Sequence, residues 1–120
     1  MGMQLARSVL LAASLLAAVT VSADGKALFE SYCQVCHGPE GKGDGPGVPE
    51  AMIRPRPFSA SAFKFDTDAD WETGTDADLA NVIRNGTAAY GGSPLMPAWG
   101  SLADADVAEL VNYVRILEGR

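Results

Sequence analysis

The chain has 120 residues, with nine Lys and Arg against fifteen Asp and Glu, and a formal net charge of −6. That balance argues against nucleic acid, whose phosphates need a basic face. It suits a protein that stays soluble or meets partners through their basic patches. Two cysteines and one histidine bound the soft-ligand chemistry available.

The N-terminus carries one charge, Arg7, before Asp24, and Ser8 to Val21 is a fourteen-residue run of small and apolar residues. Val21-Ser22-Ala23 closes it with the small-spacer-small pattern of a signal-peptidase site. The layout predicts an exported, periplasmic chain with residues 1–23 removed after Ala23. An uncleaved tether is the alternative, but spanning a bilayer takes about 20 apolar residues. The remaining 97 residues, 24–120, make one small domain with eight basic and fifteen acidic residues, a net of about −7. A core of that size gains from a staple such as a disulfide, a metal or a bound cofactor.

Asp24 to about Val35 reads as a helix capped by Asp24, with Leu28, Phe29 and Tyr32 on one face. Gly25 lies on the same side and leaves room for another helix. From Gly38 through Pro57 the density of glycine and proline excludes regular structure. Phe58, Phe63 and Phe65 are expected to anchor an irregular segment, and the run Asp66, Asp68, Asp70 and Glu72 to form a solvated turn. Calcium is the weaker alternative there, since the spacing fits no standard loop. Thr75 caps the next helix, Asp76 and Asp78 favour its positive end, Leu79, Val82 and Ile83 form its stripe, and Gly86 stops it. After the loop containing Met96, a last helix spans about Asp104 to Leu117, with Val107, Leu110, Val111, Val114 and Leu117 inward. No strand-like alternation occurs. The expected fold is all-α, about three to four helices with long loops.

The segment Tyr32-Cys-Gln-Val-Cys-His-Gly38 holds both cysteines and the histidine, as Cys33, Cys36 and His37. A structural zinc site needs four ligands, and this chain offers three. A dithiol oxidoreductase places Cys-x-x-Cys at a helix start in a βαβ core; here the pair ends a helical pattern and no strands are expected. Covalent haem attachment uses all three residues. Cys33 and Cys36, one turn apart, reach neighbouring vinyl groups, and His37 supplies an axial nitrogen to iron. One haem c, itself a large apolar body, would complete the core of so small a domain.

With these features the chain from residue 24 onward resembles a class I c-type cytochrome. The likeness rests on Gly25 and Phe29 in the first helix, the Cys33–His37 motif, Met96-Pro97 in the late loop, and Tyr113 in the last helix. It implies the small cytochrome c fold around one haem, with Gly25, Phe29 and Tyr113 at the crossing of first and last helices. Pro46 and its neighbouring glycines would then hold the His37 side. The segments RPRPFSASAFKF and TDADLANVIRNG resemble small monohaem cytochromes that accompany respiratory oxidoreductases. Ala103 departs from the family, which usually caps the last helix with Ser or Thr.

The sixth iron ligand decides the function. With a single histidine, bis-histidine ligation within the chain is impossible, which leaves Met52, Met96, a lysine or an open site. The resemblance points to Met96, since the family places its ligand in this loop; Pro94 and Pro97 restrict it. Met52 is expected to be packing. A His37/Met96 pair fills both axial positions and implies one-electron transfer without a catalytic residue. A haem sensor or a peroxidase-like site with a labile sixth ligand is the alternative, and a periplasmic thiol-disulfide oxidoreductase a remote one. Arg56, with Arg54 beside it, suits a haem propionate; Trp99 is expected to pack on the haem edge or its own loop. Redox partners with basic docking patches are implied. Tyr90 has no assigned role.

Overall fold

The computed structural model describes residues 10–15, 24–60 and 63–119. The expected signal segment falls outside them except for 10–15, which have no regular structure. Among the described residues there is no strand, and no helix is long and apolar enough to cross a membrane. Four helices, α1 (Gly25–Tyr32), α2 (Gln34–His37), α3 (Asp76–Asn85) and α4 (Asp104–Glu118), are joined by loops with two 3₁₀ turns at Phe58–Ala60 and Thr87–Tyr90. The all-α expectation holds.

Asp24 caps α1 by accepting from the Lys26 amide at 3.1 Å. The expected single helix ending near Val35 is instead two pieces. Cys33, with φ −118°, breaks the first. Its carbonyl then accepts from both the Cys36 and His37 amides, at 3.2 and 2.9 Å, so a further turn carries the chain to His37. Gly38 ends that turn with φ 80°, a value that disfavours any side chain.

Thr75 begins α3 with a complete capping box, its hydroxyl accepting from the Asp78 amide while the Asp78 carboxylate accepts from the Thr75 amide. Gly86 stops the helix with a positive φ of 76°, but ψ 160° leads the chain away extended instead of into a left-handed turn. The start of α4 agrees with its sequence signal: Ala103 is the N-cap and contributes no side-chain bond.

The core lies where α1 crosses α4, with α3 packed beside them. A Cβ on Gly25 would sit 2.4 Å from the Glu109 carbonyl oxygen, so only glycine lets the two backbones approach this closely. One turn on, Phe29 meets Tyr113 with ring centroids 5.3 Å apart. All five predicted inward residues of α4 are buried, and Phe29, Val107, Leu110 and Leu117 are at most 1% exposed. Burying Phe29 alone is worth about 2–3 kcal/mol. Arg115 ties α4 to the start of α3, donating to Asp76 at 2.8 Å and to the Gly74 carbonyl at 2.7 Å.

Candidate haem site

A predominantly apolar cavity of about 600 Å³ opens beside this core. Cys33, Cys36 and His37 line it from the α1–α2 segment, and Leu79 and Ile83 from α3. Met96 lines it from the loop after α3. Arg54, Arg56 and Trp99 also border it, whereas Met52 does not and is 45% exposed. Side chains as far apart in sequence as Cys33 and Trp99 thus line one cavity.

Backbone contacts hold the cysteine–histidine turn. The amides of Gly43, Gly45 and Gly47 donate to the carbonyls of His37, Cys36 and Val35 at 2.8, 3.1 and 2.7 Å. These are the acceptors that a helix end leaves without partners. A Cβ on Gly45 would lie 2.4 Å from the Val35 carbonyl oxygen, so the loop must be glycine-rich to reach them. The support expected from the Pro46 region is thus carried by glycine amides acting on the motif's backbone.

The His37 ring stacks on Phe58, with centroids 5.0 Å apart and planes at 26°. Its Nδ1 is buried and has no hydrogen-bond partner among the described residues. Burial lowers the imidazole pKa from 6.5 to about 4, which leaves it neutral near pH 7, the form that ligates metals. Burial, and then the charge of Cys36, raise the Cys33 thiol to about 11. A thiol held protonated is the opposite of what disulfide exchange requires.

On the other loop, the Trp99 amide donates to the Ile83 carbonyl at 2.9 Å, and the indole packs against Tyr32 at 5.0 Å. Thr87 holds the segment before Met96: its carbonyl accepts from the Gly92 amide at 2.8 Å and its hydroxyl donates to the Ser93 carbonyl at 2.5 Å. Tyr90, which the sequence left without a role, accepts from the Asn85 amide group at 2.8 Å and so closes the end of α3. Of the three predicted aromatic anchors, Phe58 is buried, Phe63 and Phe65 are half-buried, and all three line the cavity.

Two site features escaped the sequence. Phe58 is the stacking partner of His37. Asp78, read only as a favourable charge on α3, is a fully buried carboxylate lining the cavity; its Thr-x-x-Asp spacing after Thr75 was the available signal. The acidic run differs from a uniformly solvated turn. Asp68, Asp70 and Glu72 are exposed, but Asp66 is half-buried, and it accepts from the Trp71 amide at 3.1 Å. Asp66, Asp68 and Asp78 place carboxylate oxygens within 4.8 Å of one another. Both Asp78 oxygens already accept from threonine donors, whereas the Asp66 Oδ1 is buried without a hydrogen-bond partner among the described residues.

The residues fit a haem. The cavity walls are apolar, the buried imidazole is neutral, and two thiols sit one helical turn apart on the same wall. A helical shell around such a cavity, with Cys-x-x-Cys-His on one wall, defines a class I-like c-type cytochrome. Residues 21–114 match the family model described as cytochrome c oxidase, cbb3-type, subunit III, and the chain belongs to that family. Membership implies haem c binding. Among solved structures, it is similar to a chain of the Kuenenia stuttgartiensis reducing HAO-like protein complex, with 31% identity and a TM-score of 0.64. The similarity covers 81% of this chain and 42% of that one, so this chain spans less than half of its neighbour. The comparison with curated proteins gave no significant match.

Proposed function

We propose that this chain is an exported monohaem c-type cytochrome, carrying single electrons between respiratory redox partners in the periplasm after cleavage behind Ala23. The observation that supports this most is the shared apolar cavity, where Cys33, Cys36 and His37 meet a Gly/Pro-held loop presenting Met96. In this reading Cys33 and Cys36 would hold one haem through thioethers, His37 and Met96 would ligate its iron, and Arg56 would pair with a propionate. The haem supplies a one-electron change between ferric and ferrous iron. The protein's part is to fix both ligands, exclude water with the phenylalanines and α3, and present an acidic surface to partners with basic patches. The names of the matched family and of the structural neighbour are those of assemblies, which favours service within or beside a larger oxidoreductase.

Haem-stained denaturing gels of the exported protein test the attachment, and Cys33→Ala/Cys36→Ala should abolish the stain. The oxidised protein should show the weak far-red band of iron–thioether coordination and bind carbon monoxide poorly. Met96→Ala should lose that band, bind carbon monoxide readily and lower the potential, since a methionine ligand raises it. Rapid carbon monoxide binding by the unaltered protein, or an unchanged Met96→Ala spectrum, would sink the electron-carrier reading.

A further inference from the structure

We propose that Asp78 is a potential-setting residue: a buried, uncompensated negative charge on the cavity wall that stabilises the ferric over the ferrous state. This rests on the haem reading above and adds a residue to it.

Asp78 is 1% exposed and is the one buried charged side chain among the described residues. A buried carboxylate normally needs a cation or a full set of donors to stay ionised. No ion pair involving Asp78 is present among the described residues; Arg115, which donates to the Gly74 carbonyl, pairs with Asp76 and Glu118 instead. Four donors serve it instead. The Thr67 amide and hydroxyl bond one oxygen at 2.6 and 2.7 Å, and the Thr75 amide and hydroxyl bond the other at 3.0 Å each. Asn81 braces the set by donating to the Thr67 hydroxyl at 2.9 Å.

A capping box needs only the bond to the Thr75 amide. The additional three donors suit a carboxylate that is kept charged. Asp66 and Asp68, within 4.8 Å, add to the negative field without neutralising it. Reduction adds an electron to the iron centre, so a fixed anion in a poorly screened wall opposes it. Removing the charge should therefore raise the midpoint potential.

Asp78 also ties the loop bearing Phe63, Phe65 and Thr67 to α3, so bracing must be separated from charge. The test is a spectroelectrochemical titration of the holoprotein, first verified for covalent haem and the far-red methionine band; their absence would indict the haem reading and not Asp78. Asp78→Asn should raise the midpoint potential with the band intact. Thr67→Val, which weakens the brace and keeps the carboxylate, should not raise it. Asp68→Asn, at an exposed position, should give a smaller rise that fades in about 0.5 M salt, while the Asp78→Asn rise persists, because buried charge is little screened. If Asp78→Asn does not accumulate with haem, Asp78→Ser, smaller and also neutral, should show the same upward shift. An unchanged or lowered potential in a folded neutral variant, or an equal rise in Thr67→Val, overturns the proposal.

Discussion

The α1–α4 crossing and the cavity beside it are both apolar, yet only the first is finished by polypeptide alone. At the crossing, Phe29, Val107, Leu110 and Leu117 are at most 1% exposed, and Gly25 lets the backbones touch. Around the cavity, Val35 is 54% exposed, Leu95 52% and Ile53 90%. Apolar side chains do not gather around an opening unless something apolar fills it. The crossing is thus a frame that the chain encodes by itself, and the cavity is a half-built core whose second half is the cofactor.

The largest test of that division removes the cofactor. Preventing attachment with Cys33→Ala/Cys36→Ala should leave helical far-ultraviolet dichroism reduced and near-ultraviolet dichroism largely lost. A small domain has a net stability of only about 5–15 kcal/mol, so losing half its core leaves little. Cooperative, native-like melting of this variant would show that the two regions do not differ as described. Next in size is an attack on the frame. Gly25→Val places carbon against the Glu109 carbonyl and forces the helices apart, at a cost of about 3 kcal/mol. Thermal melting of the holoprotein should show the loss while the visible spectrum stays unchanged.

The two regions also differed in how far the sequence revealed them. The crossing was legible because its signals are local or periodic: the α4 stripe, the Asp24 cap, and a glycine and aromatic one turn apart. The motif was legible because its spacing is chemically specific. The break at Cys33 and the extra turn that ends at His37 were not, since they depend on which amides the Cys33 carbonyl accepts and on three glycine amides arriving from later in the chain. Nor was the stacking of Phe58 on His37, a contact across the twenty intervening residues. Three phenylalanines announced anchoring, but nothing in their spacing says which one meets the imidazole. Asp78 was read in part for the same reason: its place in the first turn of α3 is a local signal, and the Thr67 donors come from a segment without periodicity.

Asp78 belongs to the cavity side, where it ties the Thr67 segment to α3, and pH probes it. Burial raises its pKa, but bonds from Thr67 and Thr75 outweigh this and lower it from 3.8 to about 2. The unfolded chain therefore takes up a proton more readily than the folded one. The stability that the carboxylate contributes is fully present above about pH 4 and is lost as pH falls toward about 2. Asp78→Asn, which leaves threonine donors unmatched, should cost about 1–3 kcal/mol at neutral pH. Melting temperatures of parent and variant should converge as the buffer is taken from pH 4 to pH 2. Curves that stay parallel would mean that the carboxylate is not ionised in the fold.

The smallest effect is expected at the outer edge of the frame, where Arg84 of α3 reaches Asp104 at the start of α4, 2.9 Å away. The contact links the helix that walls the cavity to the helix that forms the crossing, so geometry alone suggests a strut. Energetics argues otherwise. Asp104 is 93% exposed, and its side chain must be ordered in water for a charge pair that solvent already screens. Arg84→Ala should change stability by less than about 0.5 kcal/mol, with the difference vanishing in high salt. A loss above about 1 kcal/mol that persisted in salt would place part of the coupling between frame and cavity at the surface. A negligible change leaves that coupling to the buried contacts, where Leu79 and Ile83 of α3 belong both to the core and to the cavity wall.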